Sequence, residues 1–68
     1  MSAEVERKFA YHRPTPERVK AHESVREGCR ALYEFIDGKV PGGREKALAL
    51  TSIETAMMWA NAAIARAD

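Results

Sequence analysis

The stretch GREKALALTSIETAMMWANAAIAR most constrains what this chain can fold into, because it predicts one long helix over residues 44–66. Its apolar seam has the heptad spacing that a neighbouring helix can cover. That seam consists of Leu50, Ile53, Met57, Ala60 and Ile64. Leu48 and Trp59 point well away from the seam at about 100° per residue, and only a sector around Glu54 and Asn61 is plainly polar. A single partner helix cannot bury this much apolar surface, so we expect the surplus to lie against other copies or another protein.

The small size of the chain also favours self-association. It has 68 residues and a formal net charge of +1, which predicts a single domain over residues 1–68. Domains this short bury only roughly 60% of the surface of the unfolded chain, and they usually need disulfides, a metal or oligomerisation. Cys29 is the only cysteine, so it can form neither an internal disulfide nor a zinc site alone. Oligomerisation remains as the expected source of stability.

Charge and hydropathy exclude two further classes of protein. A duplex nucleic-acid binder is expected to carry a basic surplus, which a net charge of +1 does not provide. The longest stretch without a charge runs from Thr55 to Ala65, which is too short for the roughly 20 residues of a membrane span. No secretory signal opens the chain, so we expect a cytoplasmic protein, or one in the host cytoplasm if it is encoded by a phage.

The remaining sequence predicts an all-α fold: a helical hairpin preceded by a short arm over residues 1–14. Thr15-Pro16-Glu17 indicates the start of a first helix over residues 15–37, because threonine caps helices, proline suits the first position and glutamate favours the positive end of the helix dipole. The apolar stripe of this helix is Val25, Cys29, Leu32 and Ile36. The turn-rich segment of residues 38–43 then suits a connection between two antiparallel helices.

No group of residues indicates catalysis or a metal. Cys29 has no obvious base and lies on the apolar stripe, where a small buried hydrophobe is the simpler interpretation. His22 and Cys29 are seven residues apart on one face, but two ligands on one helix do not make a metal site. We therefore expect no enzyme, no metal and no cofactor.

A few polar and small residues leave alternatives open. Tyr11, His12 and Arg13 crowd a segment held by prolines, and an aromatic ring beside a guanidinium suits a nucleotide ligand. Arg26 lies at the edge of the apolar stripe, where it is either a structural or snorkelling arginine or a phosphate ligand at a subunit boundary. Arg66 either complements the helix dipole or converges with its copies on a symmetry axis around an anion.

A stripe of small residues on the first helix also has two interpretations. It consists of Ala21, Ser24, Gly28 and Ala31. Gly28 costs roughly 1 kcal/mol relative to alanine inside a helix. Either another helix packs closely on this stripe, or a ligand or a second copy approaches the backbone there.

Several segments carry a resemblance to a known family. They are Tyr11-His12-x-Pro, His22-Glu23-x-Val-Arg26, Gly43-Arg44-Glu45-Lys46-Ala47-Leu48-x-Leu and Met58-Trp59-Ala60-Asn61-Ala62-Ala63-Ile64-Ala65-Arg66. In these segments the chain resembles the anti-CBASS cyclic-oligonucleotide sponges, small phage proteins that share a helical-hairpin domain with the sponges that counter Thoeris immunity. The resemblance covers nearly the whole chain. It implies a homohexamer that sequesters immune second messengers without cleaving them.

The resemblance also implies two kinds of binding site. Cyclic dinucleotides such as 3′,3′-cGAMP would bind in pockets between protomers, with Tyr11 stacking on a base, Arg26 contacting phosphate, and His12 and Pro14 shaping the pocket. Cyclic trinucleotides would bind at separate sites on the threefold axes, to which Arg66 would contribute. Gly28 occupies a position of that second site where a small polar residue is expected.

Two other functions compete with the sponge. A small helical interaction module, such as an antitoxin-like or regulatory oligomer that binds a protein, would explain the apolar surplus of the second helix equally well. A duplex-DNA binder is disfavoured by the charge of +1. Tyr11 and Arg26 discriminate between the first two hypotheses, because a protein-binding module gives no reason to place these two side chains at a subunit boundary.

Overall fold

The structure, a computed structural model, describes residues 14–67. It consists of two helices, α1 (Pro16–Lys39) and α2 (Arg44–Arg66), which pack against each other as an antiparallel hairpin. The all-α fold and the helical hairpin predicted from the sequence are therefore confirmed. The predicted arm of residues 1–14 lies outside the described residues except for Pro14.

The start of α1 follows from its first three residues. Thr15 is the N-cap, with an extended backbone, and its Oγ1 accepts a hydrogen bond from the backbone N–H of Arg18 at 3.1 Å. Pro16 occupies the first helical position and Glu17 lies in the first turn. The cap satisfies a backbone donor that has no partner inside the helix.

The end of α1 differs from the prediction. The sequence predicts a first helix over residues 15–37, but the helix continues to Lys39. Gly38 does not adopt a positive φ, so it does not form the left-handed cap that often ends a helix at glycine. Val40 leaves the helix with an extended backbone, because the proline that follows excludes the α conformation at the preceding residue.

The turn between the helices depends on Gly43 and on one ion pair. Gly43 is the N-cap of α2 and has φ 147°, a value that side-chain-bearing residues rarely adopt. Lys46, in the first turn of α2, reaches back to Asp37, where its Nζ lies 3.1 Å from Oδ1 and donates to the backbone carbonyl at 2.8 Å. These contacts hold the connected ends of the two helices together.

The interface between the helices is apolar but thin. All five residues of the predicted seam of α2 are half-buried, as are Val25, Cys29 and Ile36 of α1. Leu32 was expected in the same stripe, but it is 49% exposed. Tyr33 is half-buried instead, since the contact face of α1 is centred near Cys29 and leaves Leu32 on its outer edge. No residue in the described range is fully buried, so one hairpin does not make a closed core.

Candidate ligand-binding site

Contacts near the open end of the hairpin fix the register of the two helices. The guanidinium of Arg18 donates to the backbone carbonyl of Ala67. One turn further along α1, Nδ1 of His22 donates to Oδ1 of Asn61 at 2.9 Å. Together with Lys46 and Asp37 at the other end, these contacts determine which residues of α1 and α2 lie side by side.

The hydrogen bond between His22 and Asn61 was not predicted. The sequence places Asn61 in the polar sector of α2 and gives it no partner, whereas the structure has it half-buried and bonded across the hairpin. The carboxamide oxygen can only accept, so Nδ1 of His22 must carry the proton. No sequence signal distinguishes this asparagine from a solvated one, because its partner is 39 positions away.

Arg26 follows His22 by one turn and lies at the rim of a groove of about 420 Å³. The groove runs between the two helices. It is lined by Arg26, Cys29, Arg30, Tyr33, Glu34, Asp37, Ile53, Glu54 and Met57. Its floor combines an aromatic ring with apolar side chains, while two guanidinium groups and three carboxylates line its polar rim. The groove can therefore accept a flat, apolar group whose negative charge lies near the two arginines.

The two arginines of the groove differ in their partners. Nε of Arg30 donates to Oε1 of Glu34 at 3.0 Å, and both side chains are largely exposed. Arg26 has no ion-pair partner among residues 14–67, although Glu23 and Glu27 line the next surface depression beside it. Arg26 is exposed, so its guanidinium remains accessible to an anion from outside the hairpin.

Arg66 occupies a different part of the molecule. It is the last residue of α2, lies in the turn next to the C-terminal end of the helix dipole and is exposed. The bond between Arg18 and Ala67 sets this end of α2 beside the start of α1. Arg26 lies eight residues beyond Arg18, or about 12 Å along the helix axis. Within one hairpin, Arg26 and Arg66 therefore do not belong to one site.

Gly28 has open space around its backbone. It is exposed, and a Cβ added there would meet nothing within 4 Å. The other helix of the same hairpin therefore does not pack on the small-residue stripe at this position. Of the two interpretations of the stripe, one hairpin leaves only an approach from outside, by a ligand or by another chain.

The remaining residues of the predicted dinucleotide site are described only in part. Tyr11 and His12 lie outside the described residues. Pro14 is exposed and stands directly before the cap of α1. Pro14 lies before α1, and Arg26 lies almost three helical turns beyond the first residue of α1, Pro16, so the structure does not bring Pro14 and Arg26 together within one chain.

Other classes of site find no support in residues 14–67. There is no group of three or more histidine, cysteine, aspartate or glutamate residues in that range that could hold a metal ion. Neither α1 nor α2 has the length of apolar surface that would allow it to cross a membrane. Cys29 is half-buried in the floor of the groove.

Comparison with known proteins identifies the family. Searches of the curated proteins and of the solved structures gave no match. The family model described as Acb2/Tad1, hairpin domain, matches residues 1–65, which is nearly the whole chain and includes both helices. The chain therefore belongs to the Acb2/Tad1 hairpin-domain family, the anti-CBASS and anti-Thoeris sponge proteins that bind cyclic nucleotides without acting as enzymes.

Proposed function

We propose that this protein sequesters cyclic oligonucleotide second messengers and so blocks the CBASS immune signalling of a phage-infected host. Its ligands would be cyclic dinucleotides such as 3′,3′-cGAMP and, at a second site, cyclic trinucleotides. The observation that carries the proposal is the match of the family model over residues 1–65. The groove beside Arg26 adds a physical reason, because it joins an aromatic floor to an accessible guanidinium.

The mechanism would be mass action. A sponge lowers the free messenger below the threshold of its effector only if its own Kd lies well below that threshold. Rigid helices help to reach such an affinity, because little ordering is required on binding. A phosphate near Arg26 would form charge-assisted hydrogen bonds, which are roughly twice as strong as neutral ones.

A homohexamer is the proposed assembly. Its support in the structure is the apolar surface that one hairpin leaves in water, on both helices. The largest exposed apolar side chains are Leu32, Phe35, Leu48, Met58 and Trp59, each about half exposed or more. Where exposed apolar side chains form a contiguous patch, they mark interaction sites in soluble proteins.

Assembly would also complete the sites. Tyr11, His12 and Pro14 would join Arg26 of a neighbouring protomer around a dinucleotide, which agrees with the separation of Pro14 and Arg26 along one helix. Arg66 would meet its copies around a trinucleotide on a threefold axis. The open space at Gly28 would let that ligand approach the backbone.

Calorimetric titration tests the proposal. The purified protein is titrated with cyclic di- and trinucleotides, then denatured so that the ligand can be recovered and analysed. We expect tight binding and recovery of the intact cyclic ligand. Absence of binding to every cyclic nucleotide would refute the proposal, and recovery of a linear product would indicate an enzyme.

Substitutions assign the two sites. Tyr11→Ala and Arg26→Ala should abolish dinucleotide binding and leave the oligomer mass unchanged, while Arg66→Ala should spare the dinucleotide. Arg44→Ala is a matched control, since it removes an exposed arginine at the connected end of the hairpin. If the substitutions at Tyr11, Arg26 and Arg66 all weaken the same ligand equally, the two-site arrangement is wrong.

The alternative function is a helical module that binds a protein. The exposed apolar side chains favour it as much as they favour self-assembly, because Phe35 and Trp59 are 59% and 62% exposed. The two functions differ in their affinity for cyclic nucleotides. An assembled protein that binds no cyclic nucleotide would support the interaction module.

A further inference from the structure

The side of α2 that faces away from α1 carries a second regular seam. Leu48, Ser52, Thr55, Trp59 and Ala62 follow alternating spacings of four and three residues, and Glu45 and Arg66 continue this pattern at the two ends. We call these seven residues the outer seam. Leu48 and Trp59 are 55% and 62% exposed. The outer seam thus has the heptad spacing of a helix–helix contact, and all its residues except the half-buried Ala62 are exposed in the hairpin.

The polar residues at the centre of the outer seam are already satisfied. Oγ of Ser52 donates to the backbone carbonyl of Leu48 at 2.8 Å, and Oγ1 of Thr55 donates to the carbonyl of Thr51 at 3.0 Å. Hydroxyl groups bonded to their own helix keep a partner when water is removed. Burying the centre of the outer seam would therefore leave no hydroxyl donor unpaired, which is the main penalty for burying polar groups.

The charges at the ends of the outer seam select its partner and its orientation. Glu45 lies in the first turn of α2 and Arg66 in the last. A second copy packed in parallel would set arginine against arginine and glutamate against glutamate. A second copy packed antiparallel would bring each Glu45 within about one helical turn of the partner's Arg66, and opposite charges across a contact favour that arrangement.

We propose that the outer seams of two copies pair antiparallel about a twofold axis near Ser52 and Thr55. This geometry brings two small side chains together at the centre, where the helices approach most closely. Leu48 of each copy then packs against the partner's Trp59, on both sides of the axis. The outer seam is thus complementary to itself in size as well as in charge, as an isologous contact requires.

The exposed area of the chain is large enough for such a contact. The chain exposes 5660 Å², whereas a compact monomer of its mass, 7.6 kDa, exposes about 4,300 Å². The excess is about 1,400 Å². A stable interface buries about 800 Å² from each partner, so the excess is large enough for one contact of this size along the outer seam.

This inference rests on the proposed oligomer and specifies one of its interfaces. It does not depend on a bound ligand. The guanidinium of Arg66 has five N–H donors, so pairing with the partner's Glu45 orients it and leaves donors for a phosphate.

Directed cross-linking tests the orientation. In a Cys29→Ser background, chains carrying Glu45→Cys are co-expressed with chains carrying Ala62→Cys and oxidised. Antiparallel pairing places residue 45 of one copy opposite residue 62 of the other, so we expect disulfide-linked heterodimers. Either variant alone should stay reduced, because its two copies would lie about 25 Å apart along the axis and a disulfide needs Cα atoms within about 7 Å.

The outcomes separate this inference from the proposed function. A self-linked Glu45→Cys dimer would mean parallel pairing, and absence of the heterodimer in a protein that still assembles and binds cyclic nucleotides would refute the outer seam alone. Charge reversal gives a second readout. Glu45→Arg and Arg66→Glu should each weaken assembly several-fold, while the double reversal should restore it without restoring any ligand that needs Arg66. A double variant that assembles no better than the single ones would contradict antiparallel pairing.

Discussion

Replacement of Gly28 by alanine should stabilise the hairpin. Gly28 lies in the interior of α1 with ordinary helical backbone, and an added Cβ would meet nothing within 4 Å. Glycine loses more conformational freedom than alanine when a helix forms. The substitution therefore removes an entropic cost and introduces no clash within the hairpin.

The expected gain is about 1 kcal/mol per protomer, which is the difference between glycine and alanine in an exposed helix interior. In a domain of this size, about 1 kcal/mol raises the melting temperature by roughly 4–8 °C. Since the open space at Gly28 is proposed to receive a cyclic trinucleotide, the new methyl group should weaken that ligand. Binding of the dinucleotide should not change.

Urea unfolding followed by circular dichroism measures the change at a fixed protomer concentration. Ala31→Gly is the matched control, because Ala31 is also exposed and lies one turn further along α1. It should destabilise the protein by a similar amount. If Gly28→Ala instead lowers the stability or the oligomer mass, a neighbouring chain approaches this backbone closely, and the reasoning from the single hairpin is wrong.

Further substitutions test two contacts of the hairpin itself. Thr15→Ala removes the side-chain cap of α1 and should cost about 1 kcal/mol in the free energy of unfolding, while Thr15→Ser should retain most of it; equal losses in both variants would argue against the cap. His22→Ala and Asn61→Ala should each destabilise by about 1 kcal/mol, and the double variant should lose less than the sum because the two side chains share one bond. Strict additivity would mean that the bond contributes nothing.

The parts of the fold that follow from local chemistry could be predicted. Thr15, Pro16 and Glu17 fix the start of α1 through cap geometry and the helix dipole, which act within one turn. The heptad seam of α2 identifies the face that packs on α1, because apolar spacing reflects helical geometry directly. These signals do not require knowledge of a residue distant in sequence.

The features that the sequence analysis missed or predicted differently depend on relations between the helices. Whether α2 covers Leu32 or Tyr33 depends on how α1 is rotated about its own axis. A rotation by a fraction of a turn exchanges the two residues. The bond from His22 to Asn61 depends on the register of the hairpin. The end of α1 depends on the extended residue before Pro41 rather than on Gly38.

The candidate sites could be predicted only as sets of residues. The motifs around Tyr11, Arg26 and Arg66 point to the family, and the family model matches over residues 1–65. One hairpin keeps Arg26 and Arg66 apart. Sites that several copies build cannot be deduced from the periodicity of one chain, because periodicity identifies a face and not the chain that covers it.

The absence of a closed core in the described hairpin has a consequence for folding. No residue in the range 14–67 is fully buried, so we expect most of the apolar contacts that stabilise the domain to form between copies, as proposed above. Folding and assembly should then be one coupled transition. For a hexamer that unfolds directly to monomers, tenfold dilution lowers the stability by about 1.1 kcal/mol per protomer.

Thermal unfolding over a hundredfold range of protein concentration measures this coupling. The melting temperature should fall by several degrees for each tenfold dilution, since about 1 kcal/mol corresponds to roughly 4–8 °C in a chain of this size. Trp59→Ala should lower the melting temperature at every protein concentration while the hexamer still forms. The change in melting temperature per tenfold dilution should stay the same, because it depends on the number of copies and not on their affinity. A melting temperature independent of concentration would mean that the hairpin is stable alone, and the exposed apolar surface would then need a different partner.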